Sequence, residues 1–477
     1  MVTQLGEECP ATVEEVTRAT WPWVAKQRWC PSPATGEYEA TGLSLTQLGE
    51  PTQDGAVACL LVVQLDQAGP ILQIPMLAVP KGAAGMGASN ADTDTPGTGA
   101  PRATDGKAGD DPSVVIGETV THTLFDGVLE PGYWERWVEE ANVVSTSRPA
   151  LEEAAKKVKP LGVEQSNSSV FLRGGASPLV AKTFRVLHPG DHPEAQLPKT
   201  LTEAGFEGVP RLAAYWDIPV NGENACTAVV SEAIEGATDG FDYFVELAER
   251  NRDPQSAAAS LGETVAQMHH HLKTELGTGS PLPLEKVKRR VLCSLPNIRL
   301  AAPHVDDAET LDALVHQIRE LTKRLPVAED TTWETTRVHG DLHLGQTLLS
   351  DDRWVVLDFE GEPLRPLKER VEPDTPLRDV AGMLRSFDYA LQKGESADGE
   401  WLADARNAFL DGYSQGEPMS QADQVLLTAL EFEKAIYEVA YEATFRPERL
   451  DVPLAALSDL VARTETLVKD KQGPLAH

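Results

Sequence analysis

The spacing of apolar residues changes once along this chain, and that change limits the folds open to it. Up to about residue 235, apolar residues form short runs bounded by Gly and Pro, which is typical of β-strands. These runs cover residues 42–48, 56–65, 71–79, 163–172, 179–187 and 225–234. Beyond Phe241 the spacing is helical, most clearly over residues 257–272, 308–325 and 422–444. The pattern predicts an α+β chain with two lobes.

The predicted organisation has three parts. Residues 1–112 form an N-terminal α/β cap that ends in a low-complexity segment, 82–112, rich in Gly, Ala, Asp, Thr and Pro. Such a composition predicts a flexible surface loop or linker. Residues 113–235 form a β-rich N-lobe, which includes a helix at 193–204, and residues 236–477 form a helical C-lobe.

One short polar island interrupts the helical part. It contains residues 339–346 (HGDLHLGQ) and 354–363 (WVVLDFEGEP), and two β-like runs, 337–338 and 354–357, flank a loop. Asp341 and Gln346 are placed to point into one cleft, and Asp358 ends the next strand, where its side chain can meet Gln346. Carboxylate and amide oxygens suit a hard cation such as Mg²⁺.

This set of side chains supplies the parts that phosphoryl transfer needs. Asp341 would be the base, and Gln346 with Asp358 would hold the metal. The spacing from Asp341 to Gln346 matches that from the catalytic Asp to the metal-binding Asn in protein kinases. An isolated His-Gly-Asp is more often a simple turn in which Asp accepts backbone N–H bonds. The whole set of motifs is much rarer and favours function.

Candidate nucleotide contacts lie in the β-rich part. Lys182 belongs to an apolar run, where its ammonium group needs an anion, and phosphates would satisfy it; the alternative is that it reaches solvent from a strand edge. The polar stretch 165–169, with Ser168 and Ser169, predicts a turn that could cover phosphates or simply connect two strands. Residues 229–234, with Ser231 and Ala233, are placed to connect the lobes, where their backbone would bind adenine.

Composition narrows the partners and the location. The 74 acidic and 42 basic residues give a formal charge of −32, which argues against nucleic-acid and anionic-membrane partners. No apolar run is long enough to span a bilayer, and the N-terminal sequence lacks the features of a secretory signal. The five cysteines are scattered and fit a reducing compartment, so a cytoplasmic location is expected.

Two other conspicuous clusters favour structural roles. His269, His270 and His271 are consecutive on a predicted helix and point about 100° apart, so they cannot chelate one ion. One of them is expected to pack and the others to be solvated. Tyr133, Trp134 and Trp137 are expected to form a helix face packed on a core.

The two island motifs, with residues 378–389 (RDVAGMLRSFDY), resemble the actinobacterial maltokinases, which belong to the aminoglycoside-phosphotransferase and choline-kinase-like group. Residues 165–170 (QSNSSV), 182–190 (KTFRVLHPG) and 437–447 (YEVAYEATFRP) follow in the order of that family. Arg28-Trp29 resembles the start of its cap domain. The resemblance implies a two-lobed, protein-kinase-like fold with an N-terminal cap.

The resemblance also implies an activity: ATP- and Mg²⁺-dependent phosphorylation of maltose to maltose 1-phosphate for α-glucan synthesis. Asp341 would be the catalytic base, Gln346 and Asp358 the metal ligands, and Lys182 a phosphate contact. The sugar would lie among Asp341, His343, Tyr437 and Tyr441, the two tyrosines being one helical turn apart. Association with other α-glucan-synthesis enzymes follows as a further expectation.

The sequence departs from that family in two places. Where maltokinases have a Trp soon after the Arg-Pro pair, this chain has Glu448-Arg449. The acidic partner expected for Lys182 is Glu194 or, in its place, Gln196. The first departure keeps a glucosamine or aminoglycoside-type kinase open, with Glu448 as a partner for an amine. A ligand-binding pseudokinase and an architectural partner in a glucan-synthesis assembly are further alternatives.

Overall fold

A computed structural model describes residues 11–30, 41–65, 69–82, 113–162, 167–305, 308–362, 365–394 and 399–470. Gln165, Ser166 and all but the first residue of the predicted low-complexity segment lie outside these ranges. The chain forms two compact units. The first comprises Met1–Asp191 and Leu212–Ala233, and the second comprises His192–Arg211 and Ile234–His477. The three-part division by residue number stays a prediction.

An antiparallel sheet begins the first unit. Its strands are β1 (Thr41–Leu48), β2 (Val57–Gln64), β3 (Ile71–Pro80), β4 (Val115–Glu118) and β5 (His122–Asp126), in the order β1-β2-β3-β5-β4. The helices α1 (Val13–Val24) and α2 (Pro131–Glu140) both pack on it. Alternate residues of β2 enter two different cores, Leu61 with α1 and Leu60 with α2. Because side chains alternate across a strand, this explains why β2 is apolar throughout.

A second antiparallel sheet completes the first unit. Its strands are β6 (Asn142–Val143), β7 (Val158–Pro160), β8 (Ser168–Leu172), β9 (Leu179–Thr183), β11 (Leu212–Val220) and β12 (Glu223–Glu232), in the order β6-β11-β12-β9-β8-β7. β10 (Val186–Leu187) pairs with β3 of the first sheet, and α3 (Arg148–Ala155) packs on α2. The predicted core positions of Tyr133, Trp134 and Trp137 on α2 are confirmed, since all three are buried.

The second unit is mainly helical. Its helices are α4 (Pro193–Glu203), α5 (Gly240–Glu249), α6 (Gln255–Leu276), α7 (Leu284–Ser294), α8 (Ala308–Lys323), α9 (Leu367–Arg370), α10 (Leu377–Lys393), α11 (Gly399–Tyr413), α12 (Gln421–Phe445) and α13 (Asp451–Asp470). Helices α6 and α11 cross in close contact at two glycines. A Cβ on Gly412 would lie 2.0 Å from the carbonyl oxygen of Ala259, and one on Gly262 would lie 2.2 Å from that of Phe409. Only glycine permits this approach.

Short strands complete the second unit: β13 (Thr238–Asp239), β14 (Leu282–Pro283), β15 (Thr332–Trp333), β16 (Thr347–Ser350) and β17 (Arg353–Val356). β13, β16 and β17 form a three-stranded sheet, and β14 pairs with β15. Among the described residues, no helix is both long and apolar enough to cross a membrane.

Most predicted elements are confirmed, and two local predictions are wrong. Residues 337–338 form no strand; the partner of β17 is β16, joined to it by Asp351 and Asp352. Both of these residues have positive φ, 48° and 62°, as a two-residue hairpin turn of the primed type requires. Ser168 and Ser169, predicted in a turn, belong to β8 because their backbones pair with β9.

Candidate active site

The loop that carries Asp341 is fixed through its backbone by a buried carboxylate. Asp379, near the start of α10, accepts hydrogen bonds from the backbone N–H groups of His339 at 2.8 Å and Gly340 at 2.9 Å. Gly340 has a φ of +87°, a conformation that favours glycine. Two charge-assisted bonds on consecutive residues therefore set the direction in which the loop leaves residue 338.

A histidine from α6 supports Asp379. His269 Nε2 lies 2.9 Å from Asp379 Oδ2, and its Nδ1 lies 3.0 Å from the hydroxyl of Tyr413. Burial raises the pKa of Asp379, but hydrogen bonding and positive charge from His269 outweigh it and hold the pKa below its usual value. The prediction that one of the three histidines packs is confirmed. Its support of the loop that carries Asp341 was not visible in the sequence, since His269 and Asp379 are 110 residues apart along the chain and meet only in the folded protein.

His339 links the two island motifs. Its Nε2 lies 2.8 Å from the carbonyl oxygen of Leu357, and its Nδ1 accepts the backbone N–H of Asp341 at 3.3 Å. This pattern assigns the ring proton to Nε2. The ring also packs against Phe359, with centroids 4.8 Å apart. Asp341 and Asp358 thus sit on backbones joined by one imidazole.

Gln346 and Asp358 meet, as predicted. The side-chain amide nitrogen of Gln346 donates to Asp358 Oδ2 at 3.0 Å, and the backbone N–H of Leu357 donates to the backbone carbonyl oxygen of Gln346 at 2.8 Å. Asp358 has a φ of +61°, a conformation that costs a non-glycine residue roughly 1 kcal/mol or more. Such strain persists where the surrounding structure enforces it, often at functional sites.

The donor set at this point fits Mg²⁺. With its nitrogen turned to Asp358, Gln346 presents its amide oxygen, and Asp358 adds a carboxylate, both hard oxygen donors. In the described part of the chain, no group of three or more His, Cys, Asp or Glu side chains could hold a metal. Mg²⁺ commonly uses one or two protein carboxylates together with water and substrate phosphates, so a two-residue site is sufficient.

Asp341 has a lysine partner. Lys434, on α12, places its Nζ 2.9 Å from Asp341 Oδ1 and 3.1 Å from Glu362 Oε1. Burial lowers the pKa of Lys434, but the two carboxylates outweigh it and raise the pKa above its usual value. The sequence placed Lys434 on this helix and gave it no contact with Asp341. Its one signal in the sequence is that Lys434 is the only basic residue of α12.

Glu362 is the buried anchor of this group. Its Oε2 accepts from Arg365 Nε at 2.6 Å and from Arg378 at 3.0 Å, and its side chain is 2% exposed. Burial raises its pKa, but Lys434 and the two arginines bring the pKa down to about 2. Glu362 is therefore ionised at neutral pH and fixed on three sides.

The expected partners of Lys182 have other contacts in the second unit. Glu194 on α4 accepts the backbone N–H of Phe359, and Gln196 Oε1 accepts from Arg337 at 2.6 Å. The bond to Phe359 attaches the start of α4 to the segment that follows Asp358. Which acidic group pairs with Lys182 stays a prediction.

A cavity of about 570 Å³ opens beside Asp341 in the second unit. It is lined by Asp239, Phe241, Asp242, Asp341, His343, Gly345, Gly382, Ser386, Tyr389, Lys434, Tyr437, Glu438, Tyr441, Glu442, Arg446 and Arg449. This size is typical of small-molecule sites. The structure therefore brings Asp341, His343, Tyr437 and Tyr441 together around one space, as the sequence predicted.

Two stacked tyrosines and a neutral histidine lie on the wall of the cavity. Tyr437 and Tyr441 stack with centroids 6.4 Å apart at 23°. Burial lowers the pKa of His343 to about 4 despite the opposing effect of Asp341, so its ring is neutral at pH 7. Its Nδ1 accepts the backbone N–H of Gly345 at 3.1 Å. Glu448 is exposed and does not line the cavity, so the structure does not place it beside a sugar bound there.

The cavity has an excess of carboxylates. Asp239 and Asp242, at the start of α5, form no ion pair with a basic side chain within the described ranges, and burial together with the charge of Asp242 raises the pKa of Asp239. Glu442 shares its Oε1 between Tyr389 and Arg446, while its buried Oε2 has no hydrogen-bond partner among the described residues. These groups favour a cationic ligand.

The predicted nucleotide contacts lie on the second sheet of the first unit. Ser169 and Lys182 are directly opposite on β8 and β9, and Ser231 on β12 pairs with Val180. The hydroxyl of Ser168 accepts from Arg185 Nε at 2.8 Å. Immediately after β12, the backbone N–H of Ala233 donates to the Pro178 carbonyl oxygen at 3.1 Å. The sheet thus brings Ser169 beside Lys182, and the nucleotide roles stay predictions.

Comparison with known proteins identifies phosphotransferases and sugar kinases as relatives of this chain. A family model, the Phosphotransferase enzyme family, matches residues 157–419. The glucosamine kinase of Streptacidiphilus jiangxiensis is 28% identical over 323 residues, 63% of this chain and 72% of that protein. The glucosamine kinase of Mycolicibacterium smegmatis is 29% identical over 340 residues, 65% of this chain and 81% of that protein.

Solved structures agree on the fold. A glucosamine kinase in complex with glucosamine, ADP and inorganic phosphate has a TM-score of 0.67 and 22% identity, covering 94% of this chain and 99% of that one. Crystal form B of a glucosamine kinase has a TM-score of 0.68 and 23% identity, covering 95% and 100%. The predicted kinase-like α+β fold is confirmed. The chain belongs to the phosphotransferase enzyme family and is a kinase that transfers phosphate to an alcohol group.

Proposed function

We propose that the protein transfers the γ-phosphoryl group of ATP, with Mg²⁺, to a hydroxyl group of an amino sugar, and that glucosamine is its acceptor. The observation that carries this proposal is the cavity beside Asp341, which combines stacked tyrosines with carboxylates that have no basic partner among the described residues. Its chemistry suits a ring that bears an ammonium group. The two curated relatives named above are both glucosamine kinases.

Asp341 is the proposed base. The acceptor hydroxyl loses its proton to the Asp341 carboxylate as its oxygen bonds to the γ-phosphorus, and the bond from that phosphorus to the bridging oxygen breaks to release ADP. Gln346 and Asp358 would hold Mg²⁺, which neutralises phosphate charge when bound. Lys182, Ser168 and Ser169 are the proposed phosphate contacts, and the backbone at Ser231 and Ala233 the proposed adenine contact.

Asp239 is the side chain proposed to bind the amine of the acceptor. It is half-buried, its pKa is raised, and it lines the same cavity as Asp341. An ammonium group near it would relieve its repulsion with Asp242 and would be far more favourable than a neutral hydroxyl. Glu442, whose buried Oε2 has no hydrogen-bond partner among the described residues, adds a second carboxylate to this cavity.

Maltose is the second candidate acceptor, and the stacked pair Tyr437–Tyr441 favours it. The apolar C–H face of a neutral pyranose packs on such rings without any need for carboxylates. In that case the product would be maltose 1-phosphate, as the family resemblance implied. The two candidate acceptors differ in which side chains of the cavity would contribute most to their binding.

Kinetics of matched variants would decide between the two acceptors. ATP turnover is measured with glucosamine, maltose, glucose and an aminoglycoside for the wild type and for Asp239→Asn. Asn preserves the helix cap that Asp239 forms with the Asp242 backbone at 3.0 Å, so the change removes only charge. We expect KM for glucosamine to rise about tenfold, or roughly 1.4 kcal/mol, in line with a charged hydrogen bond.

The control is Asp459→Asn, an equal charge change on the exposed face of α13. Turnover of maltose with no turnover of glucosamine would overturn the amino-sugar proposal in favour of the second candidate. Absence of turnover with every acceptor, in a folded protein that binds ATP, would contradict both.

A further inference from the structure

Lys434 forms an ion pair with one carboxylate oxygen of Asp341, the proposed base. Its Nζ lies 2.9 Å from Asp341 Oδ1, and its side chain is 16% exposed. No hydrogen bond to Asp341 Oδ2 is found within the described ranges. The two oxygens of the base therefore have different environments, and only one of them has a cation.

The opposite side of the ammonium group is anchored. Glu362 Oε1 accepts from Lys434 at 3.1 Å, and Glu362 itself is fixed by Arg365 and Arg378 through Oε2. Lys434 also lies over the ring of Tyr437, with Nζ 5.0 Å from the centroid. A lysine fixed in this way has few rotamers left, so it can hold its second carboxylate in one orientation.

We infer that Lys434 is a positioning residue: it holds Asp341 Oδ1 so that Oδ2 faces the acceptor hydroxyl and takes its proton. This inference rests on the proposed role of Asp341 as the base. Once Asp341 is protonated, Lys434 keeps Glu362 as its counter-charge, so the proton transfer leaves no unpaired cation. The same ammonium repels the amine of an amino sugar, which directs that amine toward the carboxylates of the cavity.

Two substitutions separate positioning from a purely structural role. Lys434→Met removes both charge and donor, and it leaves Glu362 with its two arginines, so the variant is expected to fold. Lys434→Gln retains an N–H donor on a side chain that is one atom shorter than lysine. We expect kcat to fall on the order of 10–100-fold in the Met variant, the scale of a misplaced catalytic group. The Gln variant should recover part of that loss, and KM for the sugar should stay within about threefold in both.

The measurements are steady-state kinetics with the best acceptor and thermal unfolding of each variant, beside Asp341→Asn and the Asp459→Asn control. A kcat within about threefold of wild type in Lys434→Met would overturn the inference, as would a loss confined to KM, which would make Lys434 a sugar contact. Equal kcat in the Met and Gln variants would show a purely structural role. If the Met variant does not fold, the ratio of kcat to KM effects in the Gln variant decides.

Asp341→Asn distinguishes a failure of the proposed base from a failure of the proposed role of Lys434. An inactive Asp341→Asn variant with a fully active Lys434→Met variant overturns only the inference about Lys434. Near-full turnover in Asp341→Asn overturns the proposed base, and the inference with it.

Discussion

Replacing Asp379 by Asn tests how the loop that carries Asp341 is held in place. The carboxylate accepts three hydrogen bonds, two from the loop backbone and one from His269. An amide has only one acceptor atom, so its nitrogen must face either the Gly340 N–H or the pair of donors at the other oxygen. One buried donor is then left unsatisfied at about 1–3 kcal/mol, and two remaining bonds lose charge assistance at about 1 kcal/mol each. We expect a loss of roughly 3–5 kcal/mol in the free energy of unfolding.

Urea unfolding measures this loss of stability. Turnover, assayed under conditions where the variant is folded, reports whether the loop still holds Asp341 in position. A displacement of the loop by about 1 Å should lower kcat on the order of 10²-fold. The pKa of Asp379 is lowered, so its contribution to stability is complete above the unfolded value of about 3.9 and is lost as pH falls below it. Asp459→Asn should change neither quantity. Wild-type stability together with full turnover in Asp379→Asn would refute this account of the loop.

Three further changes probe the acceptor, the metal and the first unit. Tyr441→Ala removes one of the stacked rings and should raise KM for the acceptor by about 1–3 kcal/mol; unchanged KM with every sugar would place α12 outside the site. Asp358→Ala should weaken calorimetric binding of ATP with Mg²⁺ far more than of metal-free ATP, and equal losses would argue against metal ligation. Arg185→Met leaves Asp126, its partner at 2.6 Å, buried without a counter-charge and should cost about 3–5 kcal/mol in urea unfolding, whereas Lys156→Met, at an exposed ion pair, should leave urea unfolding unchanged.

Local periodicity accounts for the elements that the sequence predicts well. The apolar runs of β2 and β3 and the helical spacing of α6 and α12 are each visible within one element, because the side-chain period is a property of the element itself. The spacing of Tyr437 and Tyr441 also needs only one helix, and the two rings stack as neighbours one turn apart. The hairpin partner of β17 was missed because β16 is short and its turn is formed by Asp351 and Asp352, without glycine.

The sequence by itself determined the candidates for phosphoryl transfer: Asp341, Gln346 and Asp358 are close along the chain, and the contact between the last two was predictable. The tertiary structure alone decided what fixes them. Asp379 lies 40 residues from His339, and Lys434 lies 93 residues from Asp341. Each pair meets only because helices α10 and α12 pack in one register. That register is set by the whole core of the second unit, through many small contacts that no local pattern encodes.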